Sequence, residues 1–318
     1  MATQNRKCKI IIDSCCDLPA DLVKSFEVDG ILSLTYIMDD GDYPDDLWKT
    51  TTPQEFYERM RKGERPTTSQ IPPADFRKLF EKLAKEGTPT VYVCFTSGLS
   101  GTYETAMAVW NDMKADYPDF ELHIVDSLLA SAAQGLLTIE AVRQCDKGLT
   151  ASELAEWIAE ARYYVHGYFT LASLDTLQRG GRIPDMAGVI GTKLDIKPIL
   201  SFDLEGRLSF FSFARGRKKA IKQMIETFED RFDDYSTGEV VIASADAVKE
   251  QKALAEQLQK SRHKTTITHA SVGPVIGAHV GPDMLALVFW GPDRRQYRSL
   301  SDRIAKAVSS KRKNTGEE

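Results

Sequence analysis

Short apolar runs that close in hydroxyl and acid residues, each leading into a helical pattern, constrain this chain more than any other feature. Residues 9–12 form one such run and close in Asp13-Ser14. Residues 91–95 form a second and lead into "TSGLSGTYETA" at 96–106, and residues 120–125 form a third that closes in Asp126-Ser127. Runs of this length suit strands, and the continuous apolar run at 91–95 means a strand covered on both faces. Covered strands alternating with helices predict a mostly parallel α/β sheet. Ligands bind such sheets beyond the carboxyl ends of the strands, so the three polar loops are expected at one functional edge.

The helices carry readable ends. Thr52-Pro53-Gln54-Glu55 combines an N-cap, a first-turn proline and a capping-box glutamate, with Phe56 and Met60 on one face. Phe76, Leu79, Phe80 and Leu83 recur at helical spacing between Pro72-Pro73 and Gly87. Residues 31–36 read as one further strand, and the acidic "DDGDYPDD" after it as a solvated loop whose aspartates, Asp39, Asp40, Asp42, Asp45 and Asp46, lack calcium-loop spacing. A second capping box at Thr150 and Glu153 opens a helix with Leu154, Trp157 and Ile158. Beyond it, residues 197–202 and 208–213 read as a hairpin, followed by a basic helix from about Arg217, strands at 240–243, 265–269 and 285–290, and a helix near 254–258. The division expected is an N-terminal α/β domain (6–160), a C-terminal mixed α/β domain (161–292) and a basic tail (293–318).

Composition excludes several classes. With 41 Lys+Arg against 46 Asp+Glu the net charge is -5, so no global basic field favours nucleic acid. No leader or membrane-spanning apolar stretch is apparent, and five cysteines without a C-x-x-C suit neither a disulfide framework nor a structural zinc site. A cytoplasmic protein without a metal or cofactor is expected. The tail, with Arg294, Arg295, Arg298, Arg303, Lys306, Lys311, Arg312 and Lys313 beside Leu300, Ile304 and Val308, suits transient contact with an anionic membrane or is a frayed basic end.

The loop at 96–106 admits three readings. Its glycines and the following helix N-terminus can receive an anion. It can equally be a plain strand-to-helix turn capped by Ser100 or Thr102. Ser100, Asp126 and His279 also occur in the chain order of a hydrolase triad, although Gly98-Leu99-Ser100-Gly101-Thr102 sets the second glycine one place too early for a nucleophile elbow.

A set of motifs in fixed order narrows this choice: "IIDSCCDLP" at 11–19, "TTSQIPP" at 67–73, "TSGLSGTYETA", "LQRGGRI" at 177–183, "KPIL" at 197–200, "EGRL" at 205–208 with Arg215 beyond, and "GPVIGAHVGP" at 273–282. The chain thereby resembles the DegV family, bacterial fatty-acid-binding proteins that present acyl chains to a fatty acid kinase. The resemblance implies two α/β lobes with one long-chain fatty acid buried between them, and no catalysis by the chain itself. It implies that Thr68, Ser100, His279 and Arg215 meet the carboxylate, and that Arg182, with Arg215 nearby, engages the kinase and supports phosphoryl transfer. Cys15-Cys16 and Asp195 depart from residue types common in the family, which bears on the tunnel and its rim.

Overall fold

The computed structural model describes residues 5–183, 196–233 and 238–297. Asp195 and the tail from Arg298 onward lie outside the described residues. The chain begins β1 (Lys9–Asp13), α1 (Ala20–Ser25), β2 (Gly30–Leu32), β3 (Thr35–Met38), β4 (Gly41–Pro44), α2 (Pro53–Arg61), β5 (Thr67–Ser69) and α3 (Pro73–Glu86). It continues with β6 (Thr90–Cys94), α4 (Thr102–Met113), β7 (Leu122–Asp126), α5 (Ala132–Asp146) and α6 (Ala151–Ala161). Strands β2-β1-β6-β7 form a wholly parallel sheet. All three polar loops therefore leave the same sheet edge. Asp13 braces that edge: its buried carboxylate accepts from the Phe95 N–H at 2.7 Å, Tyr92 Oη at 3.0 Å and Gln134 Nε2 at 3.1 Å.

The second lobe runs β8 (Val165–Thr170), α7 (Asp175–Arg179), β9 (Ile196–Phe202), β10 (Leu208–Arg215), α8 (Arg217–Arg231), β11 (Glu239–Ser244), α9 (Val248–Leu258), β12 (Thr266–Ser271), α10 (Pro274–Val280) and β13 (Leu285–Trp290). Its six strands lie in the order β10-β9-β8-β13-β11-β12, parallel only between β11 and β12. One face of this sheet packs with the first lobe, because Phe169, Ala286 and Val288 share a continuous apolar core with Ile10, Val93 and Leu136. The other face holds a separate core of Tyr168, Leu287, Phe289 and Phe228.

The capping boxes at Thr52–Glu55 and Thr150–Glu153 form, and Gly87 ends α3 in the left-handed region. Three expectations need correction. Residues 31–36 are not one strand: Leu34 accepts from the Asp45 N–H and donates to Ser14 Oγ, so the chain leaves β1 there and starts a three-stranded antiparallel sheet, β4-β3-β5. The acidic segment is not wholly a solvated loop, since it contains β4 and its Asp45 is 1% exposed. Arg294 and Arg295 are not free tail charges either. Arg294 is buried, donating to the carbonyls of Phe202 and Arg162, and Arg295 pairs with Asp293 and Glu160.

Candidate functional site

A cavity of about 310 Å³ lies where the parallel-sheet edge, the start of α5, α10 and the six-stranded sheet converge. Most of its wall is apolar. Ala132 and Ala133 come from the first turn of α5, Leu34 and Phe95 from the parallel-sheet edge, and Val275, Ile276 and Val280 from α10. The pairings Gly167 with Val288 and Phe169 with Ala286 put these four residues on the sheet face that closes the cavity. A Cβ at Gly167 would sit 3.3 Å from both the Ala133 Cβ and the Phe202 ring, so the wall is already close-packed here with no side chain.

Polar atoms concentrate at the end formed by β5, the loop before α4, and α10. Thr68 Oγ1 lies 2.8 Å from His279 Nε2. Ser100 Oγ lies 2.9 Å from Thr102 Oγ1 and accepts from the Thr102 N–H at 3.3 Å. Arg182 Nε donates to the Leu99 carbonyl at 3.1 Å and Nη1 to that of Gly180 at 2.6 Å, which sets its guanidinium beside the hydroxyl loop. A Cβ on Gly180 would collide with His279 Nδ1, so the glycine lets the imidazole in. Burial, reinforced by the Arg182 charge, pushes His279 down to about 4, and the ring is neutral at pH 7. Positive potential for an anion at this point therefore comes from Arg182 and the N-terminus of α4, with hydroxyls supplying directed donors.

Thr68, Ser100, Arg182 and His279, separated widely in the chain, all line this cavity. Arg215 does not: it is exposed at the end of β10, paired in register with Ile196, and is absent from the lining. The triad order also finds no matching geometry. Asp126 binds the Ser97 N–H at 3.2 Å and Ser97 Oγ at 2.5 Å, His279 Nε2 faces Thr68, and Ser100 faces Thr102. The cap reading is corrected too, because Gly101 is the N-cap residue of α4 and has no side chain to bond. Gly98 serves a different contact from the one expected of it. A Cβ there would come within 2.6 Å of the Gly206 backbone, where the β9–β10 turn packs on the loop and Thr96 Oγ1 donates to the Gly206 carbonyl.

Sequence reasoning missed Gln70, whose amide spans from Gly101 to Thr105, and the close-packed lining pair Gly167 and Phe202. A lone glycine between His166 and Tyr168 in a strand is the one signal that marks such a close approach.

The family model described as "Uncharacterised protein, DegV family" matches residues 7–291. The chain belongs to the DegV family. A DegV domain-containing protein of Clostridium perfringens is 36% identical over 286 residues, covering 90% of this chain and 98% of that relative. Among solved DegV-fold structures, DegV of Bacillus subtilis, described as a fatty acid binding protein, is 27% identical with a TM-score of 0.76, covering 90% of this chain and 99% of that one. A stearic acid-binding protein of Eubacterium ventriosum is 26% identical with a TM-score of 0.79, covering 88% and 97%. The Thermotoga maritima protein TM841, described as revealing fatty acid binding function, is 29% identical with a TM-score of 0.75, covering 90% and 99%.

Proposed function

We propose that this DegV protein buries one long-chain fatty acid in the cavity between its lobes and presents the carboxylate, at the Thr68–Ser100–His279 end, to a fatty acid kinase that forms the acyl phosphate. The observation that carries the reading is a mostly apolar cavity with its hydroxyls, neutral imidazole and guanidinium at one end. A sixteen-carbon chain has about fourteen methylenes, and at about 0.8 kcal/mol each their burial is worth roughly 11 kcal/mol gross. The carboxylate adds little to affinity, because its dehydration costs several kcal/mol against about 1.5–3 per charge-assisted bond. The polar end instead offsets that cost and decides which end of the ligand faces out.

Arg182 is exposed beside the carboxylate end and suits phosphoryl charge, since guanidinium binds dispersed anionic oxygens bidentately. Arg215, outside the cavity lining, belongs in this reading to the partner-facing surface. The chain acts as a carrier and performs no chemistry itself. Native mass spectrometry of protein purified without added lipid tests the proposal, with one fatty-acid adduct expected. A lipid-free protein that hydrolyses short acyl esters, and loses that activity in Ser100→Ala, would replace the carrier reading with the hydrolase.

A further inference from the structure

We propose that Cys8 and Cys145 form a redox modification site, a dithiol that a two-electron oxidant such as hydrogen peroxide closes into an intrachain disulfide. Their sulfurs lie 3.7 Å apart, and Cys145 Sγ also donates to the Cys8 carbonyl at 3.3 Å. A disulfide requires about 2.05 Å, so closure needs a shift of less than about 2 Å. Cys8 precedes β1 and Cys145 stands one residue from the end of α5, and both side chains are buried.

The approach is braced by a neighbouring side chain. Arg6 Nε pairs with Asp146 Oδ1 at 2.6 Å, and its terminal nitrogens donate to the carbonyls of Phe26 and Glu27 at 2.7 and 2.9 Å. This clamp holds residues 6–8 against the last turn of α5. The contact with Cys8, with the Arg6 charge adding to it against the opposing effect of burial, lowers the Cys145 thiol, while the same contact and burial drive Cys8 up.

In the oxidation the Cys145 thiolate attacks one peroxide oxygen, breaking the O–O bond, and forms a sulfenic acid with hydroxide leaving. The Cys8 sulfur then attacks the Cys145 sulfur and the S–O bond breaks. Both thiol protons end in water, so two thiols and one peroxide give one disulfide and two waters. In a reducing compartment the pair rests as thiols. The site lies at the opposite end of β1 and α5 from the cavity, whose lining includes Ala132 and Ala133 at the start of α5. Closing the pair pins the far ends of two elements that frame the ligand site. The other three thiols are placed differently: Cys15 and Cys16 follow β1 and Cys94 ends β6, all at the cavity edge of the sheet.

The test treats the full chain with hydrogen peroxide, alkylates it, and maps peptides without reduction. A peptide linking Cys8 to Cys145, about 2 Da lighter than the two thiol peptides together and released by dithiothreitol, is the expected product. Because the bridge closes a long loop, the melting temperature should rise by about 5 °C on oxidation and fall back on reduction. Cys8→Ser and Cys145→Ser should lose that rise and Cys94→Ser should keep it. Loss of thiols without the Cys8–Cys145 peptide, or five thiols still free after treatment, would overturn the proposal. The wild-type peptide map decides the matter even if a variant fails to fold.

Discussion

At the residue scale, Thr68, Ser100 and Gly167 have separable jobs. Thr68 and Ser100 are hydroxyls at the polar end of the cavity, so Thr68→Val and Ser100→Ala each remove one directed donor while leaving the apolar wall intact. Each should weaken fatty-acid retention by roughly 0.5–1.5 kcal/mol, a few-fold to about tenfold in Kd, with the melting curve of the lipid-free protein little changed. Titration with a fluorescent fatty acid checks this, and unchanged affinity in both variants would remove the hydroxyls from the head-group site. Gly167 belongs to the apolar wall. A leucine there must push against Ala133 and the Phe202 ring, which takes space from the cavity. Gly167→Leu should therefore favour shorter acyl chains over longer ones in a competition series read by native mass spectrometry; an unaltered chain-length profile would remove Gly167 from the wall that meets the acyl chain.

At the element scale, the sequence made the parallel sheet and its functional edge legible because β1 and β6 have apolar runs closed by Asp13 and Thr96, while β7 carries His123 and buries only Val125 yet closes in Asp126 at the same edge. Of the residues expected to meet the ligand, Thr68, Ser100 and His279 line the cavity and Arg215 does not, which motif order alone could not decide. The break at Leu34 was illegible, because no local signal distinguishes a strand that continues from one that changes sheet. The buried acids were missed for a related reason: Asp45 sits in a run of exposed aspartates and is covered only by tertiary packing. Asp17 Oδ1 and Asp45 Oδ2, both buried and without hydrogen-bond partners among the described residues, flank Gly273 at the start of α10. Burial pushes Asp45 up to about 7, and burial with the Asp45 charge drives Asp17 well above the usual range. Each folded acid holds its proton to higher pH than the unfolded chain does, so stability is full below about pH 4 for these groups and falls as pH rises toward 7. Asp45→Asn keeps the size, removes one charge and offers a donor to Asp17. It should raise stability by about 1–2 kcal/mol at pH 8, have little effect at pH 4, and flatten the decline between them in thermal melts. An Asp45→Asn melt that tracks wild type across this range would mean that Asp45 is charged at no cost.

At the scale of the whole molecule, the boundary expected near residue 160 falls between the four-stranded and six-stranded sheets, but the larger of the two apolar cores runs across it. One apolar cluster runs from Ile10 and Leu136 in the first lobe to Ala286 and Val288 in the second. Polar ties reinforce it from several sides. Arg61 of α2 reaches Asp246 and Asp283 at 2.6 and 2.7 Å, Tyr57 Oη donates to the Val272 carbonyl at 2.7 Å, and Thr96 holds the β9–β10 turn. Removing either lobe would expose the part of that core it covers, which no short linker or surface patch could cover. The described lobes should therefore melt in a single calorimetric transition, and a fragment comprising residues 6–160 should not give a cooperative melt of its own. The cavity lies at this shared core, so a bound acyl chain adds contacts to both lobes at once and stabilises the folded state by mass action. At a hundredfold excess over Kd the gain is about 2.7 kcal/mol, which should move the whole transition up by roughly 5–10 °C without splitting it. Calorimetry of delipidated and palmitate-loaded protein distinguishes the outcomes: two transitions of which only one moves would show that the lobes fold separately and that the ligand belongs to a single lobe.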